Sequence, residues 1–148
     1  MKRLLQLIRA VPVFLRWVFC AGYLGGLGLL SLAPPSALPV RAVRFPGGDK
    51  VAHFLMYAGL AALLRWATAR RPPRAWVALA LVAGYGLLME VLQATITGGT
   101  RFFSWGDVAA NALGAAVGWW LSRGLAGDGG PATALLSAGD PLPSAGDH

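Results

Sequence analysis

The chain is short of charge: only 13% of its 148 residues are Asp, Glu, Lys or Arg, and only six are acidic. A soluble domain of this length normally carries about twice that charged fraction on its surface. With 56% hydrophobic residues and a mean hydropathy of +0.58, it needs lipid as part of its solvent. Cysteine is almost absent; Cys20 alone lies in an apolar run, so no internal disulfide forms and the redox compartment is unspecified. Also missing are an H-E-x-x-H pair, a P-loop and a G-x-G-x-x-G fingerprint. Net charge is +7, but the basic residues fall in short clusters between apolar runs rather than in one stripe, so nucleic acid is not expected as a partner.

What is present is a series of apolar runs. The first extends from about Val11 to Ala33, interrupted by Arg16, and stops at Pro34-Pro35. Its basic start and Ser31-Leu32-Ala33 resemble a signal peptide, but the stretch from Trp17 to Leu32 is long for such a segment and Pro34 is a poor residue after a cut. A spanning helix is therefore expected, with Arg16 snorkelling to the interface. Further runs cover about 51–69, 75–96 and 105–121; Arg70-Arg71-Pro72-Pro73-Arg74 divides the second from the third. The fourth run is short and needs little tilt to span. The expected class is all-α: a polytopic membrane helical bundle with about four transmembrane helices at 11–123. It lies between a basic N-terminus, 1–10, and a flexible low-complexity tail, 124–148, where Ala-Gly-Asp recurs.

Basic residues resist translocation, which orients the bundle. Lys2, Arg3, Arg9, Arg16, Arg65, Arg70, Arg71, Arg74 and Arg123 fall on one side, and Arg41, Arg44, Lys50 and Arg101 on the other. Both termini are therefore expected in the cytoplasm.

Three of the six acids lie in the tail; Asp49, Glu90 and Asp107 sit in or beside the apolar runs, where charge is expensive. The expected topology brings Asp49, Lys50, His53, Glu90, Gln93, Arg101, Asp107 and Asn111 to the non-cytoplasmic face. Residues three or four apart share a helix face, so Asp49, His53 and Tyr57 line one stripe and Glu90 and Gln93 a second. Asp107, Asn111, Gly114 and Gly118 line a third, in which G-x-x-x-G permits close backbone approach.

These residues in this order resemble the VanZ-like family: Asp49-Lys50-x-x-His53-x-x-x-Tyr57, then Glu90-x-x-Gln93, then Arg101-x-x-Ser104-x-x-Asp107-x-x-x-Asn111-x-x-Gly114-x-x-x-Gly118. The resemblance covers roughly residues 34–121. It implies a bacterial cytoplasmic (inner) membrane protein of the cell envelope; the family's namesake is associated with resistance to teicoplanin, a lipoglycopeptide acting outside the membrane on cell-wall precursors.

Each polar residue has a structural reading beside its functional one. Asp49 follows Gly47-Gly48 as a helix cap would, and Ser104 with Asp107 has capping-box spacing. Lys50 and Arg101 suit headgroup anchors, Gln93 and Asn111 interhelical bonds, and Tyr57 packing. His53 and Glu90, inside apolar helices, are harder to explain structurally; with Asp107 they are the acid-base candidates. Asp49 and His53 at i,i+4 raise a metal site, but no second His lies in the membrane region, so no metal and no cofactor is expected. Three functions stay open. The first is a pocket of Asp49, Lys50, His53, Glu90, Gln93, Arg101, Asp107 and Asn111 engaging a lipid head group, a cell-wall lipid intermediate or an amphiphilic antibiotic such as a lipoglycopeptide. The second is an enzyme acting on such a lipid, and the third a small proton-linked transporter that would need to form a homo-oligomer.

Overall fold

The computed structural model describes residues 2–33, 47–98 and 102–123. Its regular elements are helical: α1 (Lys2–Ala10), α2 (Val13–Leu32), α3 (Gly48–Ala67), α4 (Ala75–Ile96) and α5 (Trp105–Leu121). Helices α2 and α4 are long and apolar enough to cross a membrane. Arg41, Arg44, Arg101 and the tail from residue 124, all used in the expectations above, lie outside the described residues.

The N-terminal stretch, read above only as basic, forms helix α1, which Pro12 separates from α2. Proline suits this junction because its fixed φ and missing N–H are compatible with the start of a helix but not its interior. Helix α3 opens at Gly48 rather than near 51, after Gly47 in the left-handed region (φ 84°), a conformation only glycine adopts readily. It ends at Ala67 before Arg71-Pro72-Pro73, and α4 begins after that turn.

α3 and α5 form the central pair. The small-residue stripe of α5 explains why: a Cβ at Gly114 would fall on the Phe54 carbonyl of α3, and one at Gly118 on the Ala58 carbonyl. The two glycines, one turn apart, thus lie on two carbonyls one turn apart, and the backbones touch. Around them the core gathers Leu27, Tyr57, Leu60, Ala61, Ala78, Val82, Ala115 and Trp119. Outside it, many large apolar side chains are exposed, among them Phe14, Leu29, Leu55, Trp76, Leu81 and Leu113, each more than 60% accessible. A water-soluble protein rarely leaves so much apolar surface open.

Arg16 has protein partners that the snorkelling expectation did not include. It is buried at 5% exposure, its Nε donates to the Val11 carbonyl (2.9 Å) and Nη1 to the Trp66 carbonyl (3.2 Å), and its guanidinium lies over the Trp66 ring. The end of α3 thus supplies one carbonyl and a π face to Arg16, and the residue before α2 the other carbonyl. Trp66 also donates through Nε1 to the Ile8 carbonyl (3.1 Å), tying α1 to the same end. Arg65 packs its guanidinium 4.5 Å from the Trp119 ring centroid there.

Candidate functional site

The opposite end of the bundle joins the start of α3, the end of α4 and the start of α5, and here the polar stripes meet. Glu90 is fully buried, and its Oε2 accepts the Ser104 backbone N–H at 3.1 Å. Ser104 is the N-cap of α5, its Oγ accepting from the Asp107 N–H at 3.3 Å. One residue therefore serves two helices: its side chain caps α5 and its backbone donates to the carboxylate of α4.

His53, one turn into α3, reaches across to α5: Nδ1 lies 3.0 Å from Asn111 Oδ1 and 3.9 Å from Glu90 Oε1. Asn111 Oδ1 is an acceptor, so in this arrangement Nδ1 is the donor, and in that tautomer the lone pair is on Nε2. Asn111 is 1% exposed, and the absence of a Cβ at Gly86 makes room for its amide: a Cβ there would lie 2.9 Å from Nδ2. That Nδ2 has no hydrogen-bond partner among the described residues. At the rim, Lys50 Nζ lies 3.1 Å from Asp49 Oδ2 and 3.5 Å from Asp107 Oδ1, with the Lys50 side chain half exposed.

His53, Glu90 and Asp107 each offer one ligand atom, all within 4.8 Å of one another. This nitrogen and two-oxygen set suits a divalent ion in kind; of the group weighed from the sequence, Asp49 and His53 with two nearby carboxylates, it lacks Asp49. Ligation through Nδ1 would displace the proton shared with Asn111, whereas Nε2 keeps its lone pair.

The structure thus unites His53, Glu90, Asp107, Asn111 and Lys50, and redistributes the rest. Asp49 is not the cap of α3, which is Gly47 without a side-chain bond; its side chain is 59% exposed and pairs with Lys50. Tyr57, one turn below His53 on the same face, is a packing residue as read from the sequence, buried at 1% exposure in the core. Gln93 turns to α2, donating through Nε2 to the Ser31 carbonyl at 2.9 Å, an interhelical tie. Arg101 lies outside the described residues. Spacing had not singled out Ser31, the Ser104 N–H or Gly86; backbone partners leave no signature in side-chain identity.

An all-helical protein with two membrane-length apolar helices and a buried ionisable cluster at one end is the class this geometry defines. The chain belongs to the VanZ/LLP1 family, whose model matches residues 8–126. No curated protein and no solved structure matches the chain.

Proposed function

We propose that this VanZ-like membrane protein spans the bilayer four times, with both termini in the cytoplasm of a bacterial inner membrane, and binds the head group of a membrane amphiphile at its non-cytoplasmic end. The observation that carries the reading is the convergence of His53, Glu90, Asp107 and Asn111 from three helices beneath a half-exposed Lys50. Ionisable groups at membrane depth are costly and are kept where they meet a ligand or a relay. The chemistry narrows the ligand. Two carboxylates favour hydrogen-bond donors such as hydroxyl or amine groups, while Lys50 at the rim suits a phosphate. A lipid or cell-envelope intermediate carrying phosphate beside hydroxyls or amines offers both, as does an amphiphilic glycopeptide in part.

The His53 geometry favours a second reading, acid-base chemistry on such a head group. Asn111 orients the ring and Nε2 is the basic atom; Glu90 or Asp107 would supply the acid. Native mass spectrometry of the purified full chain with co-purified lipids tests the binding. Glu90→Gln preserves size while removing charge, so it should insert and melt like wild type yet lose at least one lipid species that wild type retains. A stable Glu90→Gln protein that keeps every bound lipid would reduce the cluster to interhelical packing.

A further inference from the structure

The other end of the bundle holds a second arrangement that the polar cluster does not use. Between the start of α2 and the turn after α3 lies a cavity of about 420 Å³ lined by Val13, Trp17, Ala67, Thr68, Arg70 and Arg71. Trp17 is also a wall of a second cavity, about 350 Å³ and apolar, which runs between α2 and α4 over α3 past Cys20, Leu24, Leu64, Leu81 and Tyr85. Tyr85 closes its far end by donating to the Leu24 carbonyl at 2.8 Å. From Val13 to Leu24 the helix rises roughly 16 Å, close to the depth of one hydrocarbon leaflet.

Charge decides what fits. Arg70 and Arg71 are exposed at the cavity mouth, and Arg74, in the same turn, is exposed as well. Among the described residues the acids are Asp49, Glu90 and Asp107, all at the opposite end. The described residues therefore supply no carboxylate to this basic mouth, and across Trp17 it adjoins an acyl-sized apolar groove.

We infer that these two adjoining cavities form a binding site for a diacyl anionic phospholipid, its phosphate on Arg70 and Arg71 and one chain past Trp17 into the α2–α4 groove. Arginine pairs with phosphate through paired N–H donors, and a basic site beside hydrocarbon suits an anionic head group with its chain. A zwitterionic lipid would gain the groove but little from the arginines.

The test is native mass spectrometry of the full chain in detergent with equal amounts of dioleoyl phosphatidylglycerol and dioleoyl phosphatidylcholine. Wild type should retain phosphatidylglycerol on the order of tenfold better, and an R70Q/R71Q double variant should lose that preference. A charge-matched R74Q/R123Q variant should keep it, as should Glu90→Gln, which separates this site from the polar cluster. Trp17→Ala should weaken retention of both lipids, and glycerol phosphate alone should not compete. Three results would overturn the inference: a preference surviving in R70Q/R71Q, an equal loss in R74Q/R123Q, which would make the effect a general surface potential, or displacement by glycerol phosphate. No preference in wild type would likewise assign the groove to an uncharged occupant.

Discussion

Truncating Asn111 to Ala isolates the contact that fixes His53. In the native protein the ring donates through Nδ1 to Asn111 Oδ1 at 3.0 Å; the next acceptor, Glu90 Oε1, is 3.9 Å away, beyond hydrogen-bonding range. Removing the amide leaves a nearly buried donor to find another partner. Interhelical hydrogen bonds in a bilayer are each worth only about 0.6 kcal/mol on average and about 1.7 at most, so a double-mutant cycle with His53→Gln should give a coupling near 1 kcal/mol. A stability change of that size is too common to be diagnostic. Tautomer state is diagnostic. The chain has two histidines, His53 and His148, so ¹⁵N-histidine labelling gives two ring systems, and His148→Gln assigns them. Neutral His53 should show a protonated Nδ1 and an unprotonated Nε2, and Asn111→Ala should move the proton toward Nε2. A wild-type ring already protonated on Nε2 would refute the orientation and the basic atom assigned to it.

Gly118→Ala drives a methyl onto the Ala58 carbonyl and should lower stability by about 1–3 kcal/mol, read as thermal unfolding in detergent, whereas Gly84→Ala, with open space around it, should be neutral or stabilising. Ser104→Ala removes the cap on the Asp107 N–H and should cost about 1 kcal/mol, yet its backbone donor to Glu90 remains, so lipid retention should persist. A reporter active only outside the cytoplasm should respond when fused near Arg44 and stay silent on the tail; signal from the tail would reverse the proposed orientation.

How far the molecule was legible depended on whether a residue's partner lies on its own helix face or elsewhere. Helical spacing put Asp107, Asn111, Gly114 and Gly118 on one stripe, and all four are buried on one side of α5. The S-x-x-D spacing found the cap of α5 because a cap is a local event. The reading of Asp49 as a cap, taken from its place after Gly47-Gly48, failed because the chain has two competing starts there. Gly47 can take a left-handed φ, so the helix opens a residue before Asp49 and carries the acid past the cap into an exposed first turn.

Non-local partners were out of reach for a related reason. The position of Arg16 near the start of an apolar helix suggests the headgroups, and nothing local points to the carbonyl and ring of Trp66, fifty residues on, that it meets. Gln93 likewise bonds a main-chain carbonyl that any residue at position 31 would present. The same logic separates the two ends of the bundle. At one end ionisable side chains answer one another across three helices, so their identities spell out a site. At the other, Arg16 is answered by backbone and aromatic rings, while the arginines of the α3–α4 turn face outward without a carboxylate among the described residues. Among the described residues nothing balances the arginines of that turn, and in a membrane the abundant anion beside an apolar groove is a phospholipid.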